Sequence, residues 1–237
     1  MFDFSRHVAI VTGASGNLGS AVAAAFHQAG AKLVLVDRDP DRLSSLFPDI
    51  ADSERFLPLA ADLTDANSTQ AMVSQAVEHF GQIDILANTV GGFTMGTPVH
   101  ETSLETWDFM QTLNARTVLL LAQAVVPHML AREHGKIIHT AARAALHGSA
   151  NMAAYVASKS TVIRLTESMA AELKHNGITV NCVLPGTIDT PQNRKDMPNA
   201  DHGKWVAPEA IADVFLFLAS DAARAVTGAS VPVYGRG

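Results

Sequence analysis

Tyr155 and Lys159 stand four residues apart in AAYVASKSTVIRLTESMAAEL, whose apolar spacing predicts a helix. Residues i and i+4 share one helical face, so a phenol lies beside an ammonium. The positive charge favours the phenolate and lowers a pKa that starts near ~10, which lets the tyrosine exchange protons near neutral pH. The structural alternative is a buried tyrosine beside a lysine whose stem covers apolar surface. A second feature bears on that choice. After HVAIVT, the turn TGASGNLG enters a helix, and backbone N–H groups at Gly13, Ser15, Asn17, Leu18 and Gly19 can receive a pyrophosphate with help from the helix dipole. One part can hold a dinucleotide and the other can move a proton, which together is the equipment of nicotinamide-dependent hydride transfer.

Two carboxylates extend the nucleotide end. Asp37 closes the run KLVLVD, where it can accept hydrogen bonds from a ribose hydroxyl and repel a 2′-phosphate, so NAD(H) is favoured over NADP(H). The alternatives are a solvated strand-end acid and an Arg38 that offsets the repulsion. Asp62, in AADLTD, with Leu63 beside it, either meets the adenine or caps the next helix.

Short apolar runs at 7–12, 32–36, 56–60, 83–87, 136–140, 178–184 and 230–234 read as strands, with helical patterns between them. A parallel neighbour needs a long return path, so this alternation predicts right-handed βαβ crossovers and a sheet covered on both faces. The expected fold is α/β: a single domain over 1–237, a doubly wound, Rossmann-like parallel sheet of about seven strands. Gly30 and Gly177 follow helical runs as terminators, and Pro208 suits a helix's first turn. The segment 187–206, with two prolines and many polar residues, is expected to be a loop or lid facing the substrate.

Composition narrows the partners. The chain is 48% hydrophobic and 17% charged, which suits a large buried core, and its net charge of −6 with no Lys/Arg cluster argues against a nucleic-acid surface. A single cysteine, Cys182, allows no internal disulfide, and MFDFSRHVAIVTG has no basic segment before a long apolar run, so a cytoplasmic setting is expected. The stretch 117–126 is too short to cross a bilayer and reads as core helix, so no membrane is expected. Ten histidines show no metal-ligand spacing with a carboxylate, so no metal site is expected. His139 falls on a strand and His147 in a loop, and either of them can be structural or touch the substrate. Phe93, Met95, Met197 and Trp205 offer an apolar substrate wall or ordinary packing.

In order and spacing, TGASGNLG, Asp37, Asp62, NTVGG, Asn114, YVASK and PGTIDT resemble the short-chain dehydrogenase/reductase family across nearly the whole chain. The resemblance implies that Tyr155 is the proton donor or acceptor, that Lys159 binds the ribose and tunes the tyrosine, and that Asn114 supports a water relay. It implies further that Asn88 and Gly91 stabilise the sheet end beside the cofactor. Ile188 and Thr190, after Pro185 and Gly186, would hold the nicotinamide amide. It also implies a homodimer or homotetramer built on the helices predicted at 104–131 and 152–175, with a small molecule as substrate.

Two departures stand out. Asn17 occupies the usual place of the turn's middle glycine, and asparagine tolerates φ > 0 better than most residues. Ala142 occupies the place of a serine thirteen residues before the tyrosine, which removes a hydroxyl donor worth on the order of 10²–10³ in rate. Ser149 is the nearest replacement, or it is a plain loop serine. The alanine and the segment LPGTIDTPQNRKDMPNADHGKW resemble the quinoid dihydropteridine reductase branch, which implies a conjugated imine instead of a carbonyl/alcohol pair. A silent dinucleotide-binding sensor or scaffold is the alternative to an oxidoreductase.

Overall fold

The computed structural model describes residues 2–47 and 54–237. Among them seven strands form one parallel sheet: β1 (Val8–Thr12), β2 (Lys32–Asp37), β3 (Phe56–Ala60), β4 (Ile85–Asn88), β5 (Gly135–Thr140), β6 (Ile178–Pro185) and β7 (Ser230–Val233). Their order is β3-β2-β1-β4-β5-β6-β7. The central strands are rich in Val, Ile and Leu and buried on both faces, as a sheet between two helical layers requires. The order reverses between β1 and β4, so the carboxyl ends of these strands border a crevice in which such sheets bind ligands.

Helices α3 (Ala66–Phe80), α5 (Thr117–Leu130) and α6 (Ala153–Leu173) cover one face, burying Met72, Leu121, Val125 and Ile163 against Ile10, Leu86 and Ile137. Helices α1 (Asn17–Gln28), α2 (Pro40–Leu46) and α8 (Pro208–Ala219) cover the other, burying Phe26, Leu43 and Phe215 against Val11, Leu35 and Ile138. Local chemistry sets the ends of these elements. Asp39 and Asp65 accept backbone N–H bonds at the starts of α2 and α3, and Pro208 opens α8. Gly30 and Gly177 follow their helical runs with φ of 91° and 70°.

Three expectations change in detail. The strand read as 83–87 begins at Ile85, because the Asp84 carboxylate turns across the sheet to accept the Val8 N–H at 2.8 Å. The helix read over 104–131 is α4 (Leu104–Met110), one π-helical turn (Gln111–Arg116) and α5. Residues 104–130 are long and apolar enough to cross a membrane by composition, but half of their most apolar 18-residue stretch is buried inside the protein. The segment 187–206 is less irregular than its composition suggests: it holds α7 (Pro191–Asp196) and a 3₁₀ turn (His202–Lys204), and Ile188 bridges to Val206. Thr190 accepts the Asn193 N–H and Pro191 fixes the first turn, which is enough to start a short helix.

Candidate active site

The turn after β1 is shaped by two glycines. Gly13 has φ of 64°, and a Cβ on Gly19 would overlap the Gly13 carbonyl, so the helix can start directly against the turn only with glycine there. The N–H groups of Asn17, Leu18 and Gly19 have no partner among the described residues, which leaves the first turn of α1 able to bind an anion. Asn17 does not take the expected φ > 0. It is the first residue of α1, and the positive φ of the turn is at Gly13.

Asp37 is drawn toward this turn. Its Oδ2 accepts the Ser15 hydroxyl at 2.6 Å and the Ser15 N–H at 3.2 Å, while Oδ1 accepts the Arg38 N–H at 2.8 Å. Burial pushes the carboxyl up, but these bonds and one from the Asp39 N–H outweigh it and hold the pKa below the usual carboxylate value. Asp62 does not cap the next helix, because Asp65 does; Asp62 is exposed and bonds the Thr64 N–H and hydroxyl instead. The side chain of Leu63 is in the core.

Asn88 ties three strand ends together. Its Oδ1 accepts the Thr12 hydroxyl at 2.7 Å and the Val90 N–H at 3.3 Å, and its carbonyl accepts the Thr140 hydroxyl. Its Nδ2 must therefore donate to His139 Nδ1 at 3.3 Å, which leaves the imidazole proton on Nε2. His139 is fully buried, and burial with the Lys159 charge lowers its pKa to about 3, so the ring is neutral.

Next to this strand end are Gly91, Asn114, Ser158 and Lys159. A Cβ on Gly91 would come 2.7 Å from Lys159 Nζ and 2.9 Å from Asn114 Oδ1, so the glycine makes room for both polar ends. Asn114, 1% exposed, lies on the π-helical turn, accepts the Gly92 N–H at 2.8 Å and donates to the Gly92 carbonyl and to Ser158 Oγ. Ser158 in turn donates to the Tyr155 carbonyl at 2.8 Å. Lys159, 4% exposed, donates to the Thr140 carbonyl at 2.8 Å, and burial lowers its pKa to about 8. The Tyr155 ring meets the edge of Phe93 at 4.9 Å.

Tyr155 does not have the lowered pKa that its spacing from Lys159 suggests. Burial pushes it up to about 12. The ammonium that was to stabilise the phenolate is itself desolvated and tied to a backbone carbonyl, so burial of the phenol dominates.

The remaining residues divide. Ala142 is buried in extended backbone at the end of β5. Ser149 is exposed in the loop before α6 and makes no hydrogen bond to Tyr155, Lys159 or Asn114. Pro185 ends β6, and Gly186 donates to Val233 with no room for a larger residue against Tyr234. The Ile188 carbonyl accepts the Asn193 side chain, and the Thr190 hydroxyl caps α7. Phe93, Met95 and Met197 are exposed, His147 is in the exposed loop, and Trp205 packs on His202. Among the described residues no group of three or more His, Cys, Asp or Glu could hold a metal ion. Sequence reasoning missed Ser158 as the link between Asn114 and Tyr155, although its place three residues after the tyrosine puts it one helical turn on.

This geometry has close counterparts. Residues 7–201 match the short chain dehydrogenase family. The chain is 35% identical to a (2S)-[(R)-hydroxy(phenyl)methyl]succinyl-CoA dehydrogenase subunit of Thauera aromatica over 97% of this chain and 96% of that one. It is 32% identical to a 3-oxoacyl-[acyl-carrier-protein] reductase of Thermotoga maritima, covering 96% of each. The crystal structure of gox2181 superposes with a TM-score of 0.90 at 29% identity, over 99% of this chain and 95% of that one. With the crevice, the glycine turn and the tyrosine–lysine helix assembled in one place, the chain belongs to the short-chain dehydrogenase/reductase family of oxidoreductases.

Proposed function

We propose that the chain is an NAD(H)-dependent reductase or dehydrogenase in which Tyr155 handles the proton. One observation carries this reading: Lys159 Nζ and Asn114 Oδ1 converge on the space kept free at Gly91, beside a turn with three unpaired N–H groups. These residues fit a dinucleotide. The N–H groups of Asn17, Leu18 and Gly19 hold the pyrophosphate, with Gly13 and Ser15 shaping the approach. Asp37 takes the ribose hydroxyls, and its fixed negative charge disfavours a 2′-phosphate. Asp62 and the Leu63 backbone meet the adenine, Lys159 the second ribose, and the segment Pro185, Gly186, Ile188 and Thr190 the nicotinamide amide. Asn88 keeps the sheet end rigid. The nicotinamide supplies or accepts the hydride.

The proton step rests on this chain's own groups. Lys159, with a pKa of about 8, shares its charge between the Thr140 carbonyl and the site, and Asn114 and Ser158 fix the helix turn that carries Tyr155. Two relatives named as acting on hydroxyl or oxo compounds support a carbonyl/alcohol substrate. The methyl of Ala142, where a hydroxyl would assist a carbonyl oxygen, supports a conjugated imine, as in the dihydropteridine-type branch. Ser149, exposed in the loop before α6, is the candidate substitute donor. Exposed Leu104, Trp107, Phe109 and Leu119 on α4 and α5 suit contact with a second copy, as a dimer or tetramer, and the setting is the cytoplasm.

The test is stopped-flow NADH oxidation with a panel of ketones, imines and quinones. Wild type should turn over at least one class, and Tyr155→Phe should lose at least a hundredfold, within the ~10²–10⁴ range of a general acid. Unchanged turnover in Tyr155→Phe removes the role. A second reading, a silent dinucleotide sensor, draws on Ala142 alone, and calorimetric NADH binding without turnover of any panel compound would favour it.

A further inference from the structure

At the opposite edge of the sheet, below the amino ends of β1 and β5, the surface opens into a cavity of about 260 Å³. Lys136, the second residue of β5, points into it from the face that also carries Ile138, and it is 6% exposed. Its ammonium has no hydrogen-bond or ion-pair partner among the described residues. The nearby acid, Asp84, is already saturated by the Val8 N–H, the Gln82 amide and Arg132. Burial lowers the lysine's pKa, with Asp221 pulling the other way. The His7 ring lines the same cavity, and its Nδ1 is buried without a partner. An ammonium with no hydrogen-bond partner at a cavity wall, beside a ring with an unmet buried nitrogen, marks a place where an acceptor-rich group belongs.

The walls indicate the rest of the ligand. The Phe4 and His7 rings meet edge to face at 5.6 Å, and the His134 ring centre is 6.2 Å from that of His7, which gives flat apolar surfaces. Asp3 and Asp221 are exposed and line the mouth, where they disfavour multiply charged anions. We propose that this cavity binds a small organic monocarboxylate, its acid group on Lys136 and its flat body against the rings of Phe4, His7 and His134. The site is separate from the candidate active site, since Lys136 and Thr140 are four strand residues apart, about 13 Å, and it does not depend on the nicotinamide reading.

Calorimetry with benzoate tests this, with benzamide and inorganic phosphate as comparison probes, on wild type, Lys136→Met and His7→Phe. Benzoate should bind wild type one to one and at least tenfold more tightly than benzamide or phosphate, by about 1.4 kcal/mol. Lys136→Met should lose that binding, and His7→Phe, which keeps a ring but removes the nitrogen, should weaken it severalfold. Since any benzoate near Tyr155 is untouched by these changes, loss in both variants identifies the basal cavity. Benzoate affinity unchanged in either variant, phosphate bound more tightly than benzoate, or no benzoate binding up to about 20 mM overturns the proposal. His7→Phe keeps the test valid if Lys136→Met does not fold.

Discussion

Lys159 on α6 and Lys136 on β5 are both more than nine-tenths buried, and burial lowers the pKa of both. They differ in what surrounds the charge. Lys159, at the carboxyl edge, has the Thr140 carbonyl at 2.8 Å and a space bordered by Asn114 and kept open by a glycine. Lys136, at the amino edge, has an aromatic cavity, the charge of Asp221 nearby and no hydrogen-bond or ion-pair partner among the described residues. Desolvation is therefore common to both ends of the sheet, and preorganised acceptors are what distinguish the end proposed as the active site.

The sharpest way to break this contrast is to remove each ammonium while keeping the stem. Lys159→Met should lower kcat/KM by roughly 10²–10⁴, the range of a positioned proton-transfer group. Lys136→Met should stay within about twofold, as expected of a change outside the reacting groups. Steady-state kinetics on any substrate the panel identifies decides it, and equal losses in both variants would mean that charge at the base also controls turnover.

Much of the carboxyl edge was legible in the sequence. The strands announce themselves as short apolar runs, the turn by its glycines, and Tyr155 and Lys159 by helical spacing, since all three depend on local sequence. What was not legible depends on three dimensions. The π-helical turn that aims Asn114 inserts into an apolar stretch without altering its composition. The raised pKa of Tyr155 reflects how deeply the ring is packed, which spacing along one helix does not report. Asp62 reads as a possible cap, and the path of the chain into α3 selects Asp65 instead, a residue the sequence does not single out. At the base, alternation along GKIIHT puts Lys136 on the same face as Ile138, so its burial had a signal, but the cavity beside it did not.

A smaller effect sharpens the comparison through pH. Strand register aligns Thr12, Asn88, His139, Cys182 and Ser230 in one polar row across five strands just below the site. The ordinary pKa of His139, 6.5, falls to about 3 in the fold. The stability it represents is complete above pH 6.5 and is lost as pH falls toward 3, because the unfolded chain takes up the proton first. Between pH 6.5 and 5 this group alone should cost roughly 1.5–2 kcal/mol. Urea unfolding at both pH values should show that slope in wild type and a flatter one in His139→Asn. An identical slope in the two proteins would mean that the imidazole is solvated and that the row is not a dry, neutral network.

The smallest expected effect is a gain in stability. Because burial lowers the Lys136 pKa, the fold carries a cost for holding that charge at neutral pH. The cost is relieved as pH rises toward the unfolded value of 10.5, because the folded chain releases the proton first. Lys136→Met keeps the stem and removes the unpaired charge, so it should stabilise the protein by about 1 kcal/mol at pH 7, with a smaller gain at pH 10. At the other end the pKa of Lys159 falls further, to about 8, so its pH dependence should be the steeper of the two. Lys159→Met also leaves the Thr140 carbonyl without its donor, which offsets part of the gain at pH 7. Urea midpoints for the two variants at pH 7 and pH 10 measure this directly. If Lys136→Met instead lowers the midpoint, the basal ammonium is held by favourable contacts of its own, and the distinction between a furnished and an unfurnished lysine fails.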